Sequence, residues 1–137
     1  MAPTAAGSLL PLSVIVLATV ASTVLLAPVA AKDIDALLAL KSGLHDPNGT
    51  LKSWDPQLVN PCTWFYITCD DNKRVTCMHI YDNHFTGPIP KELVGLSNLI
   101  NADFSNNNFC GPIPTSGPFK HIPRRSFANN PRLDKKC

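Results

Sequence analysis

A short α/β solenoid is the fold class this sequence predicts, and three observations predict it. The first is an internal repeat. Val75 to Pro90 and Leu99 to Pro114 align at a 24-residue offset: Met78 over Ala102, Ile80 over Phe104, Asn83 over Asn107 and Phe85 over Phe109. Gly87-Pro88-Ile89-Pro90 falls over Gly111-Pro112-Ile113-Pro114. A fixed period of this length with L-x-L-x-x-N-x-L character is the signature of a leucine-rich repeat. The second observation is a leucine-striped segment with paired tryptophans ahead of the repeats. The third is the cysteines, which begin at Cys62 and flank the repeats. The expected fold is an α/β leucine-rich repeat solenoid of about two repeats between disulfide-pinned N- and C-terminal caps.

The first 31 residues carry no charged side chain and hold an apolar run from Leu9 to Ala30. Val29-Ala30-Ala31 then places small residues before Lys32-Asp33, the pattern of a secretory signal peptide cleaved after Ala31. The competing reading is a retained membrane anchor, but Pro11 and Pro28 bracket the run and no basic flank orients it. Domain boundaries follow: signal peptide 1–31, N-terminal cap 32–72, two repeats 73–116, and C-terminal cap with basic tail 117–137. No later segment is apolar enough to span a membrane, so the mature chain is expected to lie outside the cell, in the apoplast, the wall or at the outer face of the plasma membrane. An oxidising export route makes disulfides expected.

Lys32 to Gly43 reads as a helix. Asp33 is placed to cap its amino end and Asp35 to favour the positive end of the dipole. Ala36, Leu37, Leu40 and Leu44 form one apolar stripe. Gly43 stops it, and Asp46-Pro47-Asn48-Gly49 is a turn. Asn48-Gly49-Thr50 is an acceptor sequence for N-glycosylation. Thr63 to Cys69 is aromatic and β-branched and reads as a strand pairing with Arg74 to Thr76 across the turn 70–73. Bridging Cys62 to Cys69 closes a short loop, worth roughly 2 to 3 kcal/mol on chain entropy.

Trp54, then Asn60-Pro61-Cys62-x-Trp64-x4-Cys69, then repeats ending Gly-x-Ile-Pro resemble the N-terminal cap and repeats of plant leucine-rich repeat receptor-like proteins. The likeness is to the ectodomains of the somatic embryogenesis receptor kinases. The stretch from Gly111 to Pro123, with Ser126 to Pro131, resembles the C-terminal cap of their short secreted, kinase-less relatives. This chain departs from the family in having fewer repeats, and after Pro114 the leucine positions become Gly117, Lys120 and Pro123, so the repeat is expected to end there. The resemblance implies that Thr63, Phe65 and Tyr66 contact receptor kinase ectodomains.

Within each coil Met78, Ile80 and Phe85, and then Ala102, Phe104 and Phe109, should face the core, while Asn83 and Asn107 serve the turns. Outward positions are Cys77, His79, Tyr81 and Asp82, then Asn101, Asp103, Ser105 and Asn106. They form the concave surface on which solenoids bind partners. Cys110 and Cys137 make a second cysteine pair and Cys77 is left over, either cross-linking two chains or as a free thiol.

An enzyme is not expected. A nucleophile built from Cys77, His79, His84 and Asp82 lies within eight residues, with no pocket or oxyanion donors. Cys69, Cys77, His79 and His84 lack a zinc-ligand spacing. No cofactor motif and no nucleic-acid patch is present. Lys120, Arg124, Arg125, Arg132, Lys135 and Lys136 face only Asp134 in the tail, a basic stretch suited to weak contact with acidic wall polysaccharide or anionic lipid. The function expected is a secreted plant recognition module for receptor-like kinase ectodomains in growth or defence signalling. Alternatives are a truncated paralogue without a specific partner, or a wall-associated structural or inhibitor-like protein.

Overall fold

The protein is described here from a computed structural model over residues 31–137. The segment expected to be a signal peptide lies, but for Ala31, outside the described residues. Helix α1 covers residues 31–43 and ends at Gly43. Strand β1 (Ile67–Cys69) pairs antiparallel with β2 (Val75–His79), and β2 pairs in parallel with β4 (Asn101–Asp103). On the opposite side β3 (Thr86–Pro88), β5 (Asn108–Gly111) and β6 (Arg132–Leu133) form a second parallel sheet. Each coil thus contributes one strand to either sheet, and the returning segments are short 3-10 turns such as Lys91–Gly95 and Gly117–His121.

The side chains between the sheets fill the core. Met78, Ile80, Phe85, Ala102, Phe104 and Phe109 are fully buried, with Leu93, Leu96 and Leu99 behind them. The rings form a connected column. Phe104 stacks on Phe127 at 5.2 Å and meets Phe109 edge-on at 5.6 Å. At the other end α1 lays Ala36, Leu37 and Leu40 over the first coil, where Trp54 and Trp64 stack at 5.8 Å. Gly87 is where α1 comes closest: at φ 123° its missing Cβ would stand 2.5 Å from the Gly43 carbonyl oxygen. Any side chain there forces the helix away.

Three local readings need correction. Asp33 is no N-cap: it lies inside α1, buried, and its carboxylate accepts the Val75 N–H at 3.0 Å. The helix therefore anchors the sheet edge with that residue. The strand expected over Thr63–Cys69 is confined to Ile67–Cys69, because Pro61–Thr63 forms a 3-10 turn capped by Asn60 and Tyr66 adopts φ 72°. Its partner is correspondingly longer than Arg74–Thr76, since parallel pairing with β4 extends β2 to His79.

The third correction concerns where the repeat ends. Asn107 donates from Nδ2 to the carbonyls of Ile80, Phe104 and Ser105, and its Oδ1 accepts from Phe85 N–H. Asn130 repeats the arrangement one coil on, donating to Phe104, Phe127 and Ala128 carbonyls and accepting from Phe109 N–H. The Phe104 and Asn106 N–H groups donate to the Ser126 and Ala128 carbonyls. The segment 117–133 is therefore a degenerate third coil, 23 residues on from the second, in which Phe127 replaces Phe104 and Asn130 replaces Asn107. Disulfides join Cys62 to Cys69 in the first cap and Cys110 to Cys137 in the last.

Candidate recognition face

The β1–β2–β4 sheet forms one continuous face, and its register fixes which outward residues are neighbours. Thr68, Cys77 and Asn101 lie side by side. His79 stands beside Asp103, and its N–H donates to the Tyr66 carbonyl. Next along, Ile80 and Asp82 N–H groups donate to the carbonyls of Asp103 and Ser105, so Tyr81 is carried between them.

Aromatic side chains dominate one edge of this face. Phe65 is 67% exposed, Tyr81 47% and Tyr66 43%. Exposed large aromatics are unfavourable for a lone soluble surface and characterise contact sites. Phe65 is not loose: its N–H donates to Ser53 Oγ at 3.0 Å and its carbonyl accepts from the buried Trp54 indole at 2.9 Å. The N-terminal cap therefore grips the backbone from both sides while the ring points to solvent. The left-handed Tyr66 next to it turns the chain into β1 and brings its ring edge-on to Phe65 at 6.4 Å. His79 and Tyr81 rings lie 6.5 Å apart. Thr63 is exposed, but its hydroxyl donates to the Asn60 carbonyl and serves the cap turn.

The remaining face is polar and pre-ordered. Asp103 Oδ1 accepts from both the Ser105 N–H (2.9 Å) and Ser105 Oγ (2.6 Å). Asp82, Asn106 and Asn129 occupy equivalent positions of successive coils, all left-handed (φ 53°, 57° and 57°). Their side chains form an exposed ladder: Asn106 Nδ2 donates to Asp82 Oδ1, and Asn129 Nδ2 to Asn106 Oδ1. Short Asx side chains tolerate this conformation. Asn129 escaped the sequence reading because its coil lacks the leucines. The spacing Phe104-x-x-Asn107 repeated as Phe127-x-x-Asn130 was the available signal.

The residues weighed for catalysis are otherwise engaged or separated. Asp82 is held in the ladder, His84 lies beyond the turn, and Cys69 is oxidised to Cys62, which removes it as a metal ligand. Cys77 is a half-buried free thiol. Among the described residues no three His, Cys, Asp or Glu side chains cluster as a metal site, and no helix is long and apolar enough to cross a membrane. Asn48 is exposed in its turn, ahead of the left-handed Gly49.

A disulfide-closed cap, two β-ladders and stacked asparagines define a leucine-rich repeat protein. Residues 30–70 match the leucine rich repeat N-terminal domain. A leucine-rich repeat protein 1 of Oryza sativa subsp. indica is 47% identical over 85 residues, covering 61% of this chain and 40% of the relative. Its Arabidopsis thaliana namesake is 48% identical over 65 residues, covering 47% and 30%. The chain thus spans about two fifths or less of the length of these relatives. Among solved structures, the Arabidopsis BIR2 ectodomain superposes with a TM-score of 0.60 at 28% identity, covering 76% of this chain and 55% of that one. The PEPR1–AtPEP1 complex gives 0.58 at 33% identity, covering 66% and 13%. HAESA, solved with the peptide hormone IDA and the co-receptor SERK1, gives 0.55 at 32% identity, covering 60% and 14%. Residues 30–70 thus carry the leucine rich repeat N-terminal domain, and the chain is similar in sequence to plant leucine-rich repeat proteins and in fold to plant leucine-rich repeat receptor ectodomains.

Proposed function

We propose that this protein is a secreted, non-enzymatic recognition module that docks on ectodomains of receptor-like kinases outside the plasma membrane, in growth or defence signalling. The observation that carries the reading is the aromatic edge Phe65–Tyr66–Tyr81, exposed yet held by a rigid sheet and cap. Rigid aromatic anchors contribute contact area at low entropy cost and dominate interface energetics. Likeness to ectodomains solved with peptides and with SERK co-receptors supports the same reading. His79, Asp82, Asn101, Asp103 and Ser105 supply the polar surround, Thr63 the rim, and the exposed Asn48 is the glycan acceptor.

The test is capture of the secreted chain on a panel of receptor kinase ectodomains, at low and high salt. A complex that survives high salt and loses about 10-fold or more in affinity on Phe65→Ala or Tyr81→Ala is expected. Binding that ignores both substitutions overturns the assignment of the face.

A further inference from the structure

Surface depressions also lie away from the concave face. They lie on the flank of the third coil, beyond the last repeat. Two of them share Ile113, Arg124 and Phe127 as lining, and a further one, towards Lys135 and Lys136, adjoins them through Asp134. The result is a furrow that crosses the C-terminal flank from the Asn129 end of the side-chain ladder to the Cys137 disulfide.

Its chemistry is two-sided. The floor is aliphatic and aromatic: Ile113 and Leu133 are only half-buried, over the buried Phe127. The walls are cationic. Residues 117–137 hold six Lys and Arg side chains against one carboxylate, whereas residues 32–116 hold six against nine. That one carboxylate, Asp134, is already paired with Arg124 at 2.7 Å. Lys120, Arg125, Lys135 and Lys136 are exposed and form no ion pair among the described residues. The cations come from three different segments, Gly117–His121, Arg124–Phe127 and the tail after Leu133, so the charge follows the furrow and does not converge on one point. The Cys110–Cys137 disulfide fixes the far wall to β5.

An elongated groove with distributed positive charge fits an extended anionic chain. The floor decides which kind. A uronic acid polymer calls for exposed aromatic platforms or a row of free amide and hydroxyl groups, and here Phe127 is buried, Asn129 and Asn130 spend their amides in the ladders, and Thr115 supplies a single exposed hydroxyl. An aliphatic floor between cationic walls suits a peptide alternating acidic and aliphatic side chains. We propose that this furrow is a second docking site, separate from the concave face, for an extended acidic-aliphatic segment of a protein partner.

The experiment uses the full secreted chain and a fluorescein-labelled peptide of alternating Glu and Leu or Ile, read by anisotropy. Polyglutamate of equal charge and an oligogalacturonide serve as competitors. The labelled peptide should bind about 10-fold or more tightly than polyglutamate, because only it covers the floor. The double change Arg125→Glu with Lys136→Glu should weaken it by about 10-fold, and Lys32→Glu with Lys52→Glu, equal in net charge but in the N-terminal cap, by less than about 2-fold. Phe65→Ala should leave it unchanged, which separates this site from the concave face. Equal loss in both double variants, or equal binding of polyglutamate, would reduce the furrow to bulk charge and overturn the proposal. Tighter binding of the oligogalacturonide would overturn it in favour of a polysaccharide site.

Discussion

The two ends of this solenoid are closed by different means. At the N-terminal end a separate element does it: α1 and the Trp54–Trp64 stack cover the first coil, and an antiparallel strand, β1, seals the sheet edge. At the C-terminal end the repeat itself runs on in degraded form, keeping Phe127 and Asn130 but giving up the leucines. The first cap adds a helix and a paired strand, whereas the second buries Phe119, Ile122 and Phe127 and bonds its backbone within inherited repeat geometry. A terminal coil needs its outer side chains made polar and its inner backbone groups satisfied, and the third coil meets both needs without adding a new element.

The largest separation between the ends should appear in the asparagines. Asn130→Ala leaves two backbone groups without a partner, the Phe127 carbonyl and the Phe109 N–H, because Asn107 still serves Phe104 and the Asn106 N–H still serves Ala128. At about 1 kcal/mol or somewhat more for each, the loss should reach about 2 to 3 kcal/mol. Asn83→Ala strips only the Tyr81 carbonyl, because Asn107 still serves Ile80. Its cost should stay near 1 kcal/mol. Urea titration of both variants checks the ratio. Equal costs would mean that the third coil adds no ladder of its own.

The disulfides sharpen the comparison next. Cys62–Cys69 spans a sequence separation of 7, Cys110–Cys137 one of 27. Chain entropy alone gives about 2.4 kcal/mol for the first and about 3.6 kcal/mol for the second. Paired Ser substitutions at Cys110 and Cys137 should therefore lower the unfolding midpoint more than the same change at Cys62 and Cys69. If the short loop proves the costlier loss, its role is to hold the cap turn that presents Phe65, and unfolded-chain entropy is secondary.

The ends also differ in how plainly the sequence spoke. The repeat period, the inward residues and the stripe of α1 were legible because periodic burial is written in residue type. The third coil was not, because its 3-10 segments replace leucines with proline and lysine, and the residues that keep the register, Phe127, Asn129 and Asn130, carry no leucine signature. Tyr66 shows a second kind of opacity. Its β-favouring neighbours argue for strand, yet the Cys62–Cys69 closure and the Pro61 turn leave it a left-handed conformation. Phe65 and Tyr66 are singled out by the resemblance and Tyr81 by strand alternation, but the support of Phe65 from Ser53 and Trp54 depends on contacts 11 to 12 residues away.

The smallest effect lies at the N-terminal cap and turns on Asp33. Burial pushes its carboxyl above the ordinary carboxylate value, against the Val75 N–H bond that lowers it, and the charge of Asp70 adds to the rise. The folded state therefore holds this proton more firmly than the unfolded chain. Its contribution is fully present below the ordinary carboxylate value and is lost as pH rises through the folded one. Asp70 has the opposite slope. Hydrogen bonds from the Arg74 backbone lower its value, so what it adds is present above the ordinary value and falls away as acid protonates it. Asp33→Asn keeps an acceptor for Val75 and removes the charge. Measured from about pH 3 to about pH 8, the variant should gain on the wild type as pH climbs past the ordinary carboxylate range, then run parallel to it. A gap that is the same at every pH would show that the Asp33 charge does not set the stability of this cap, and that α1 is held to the sheet by its leucines alone.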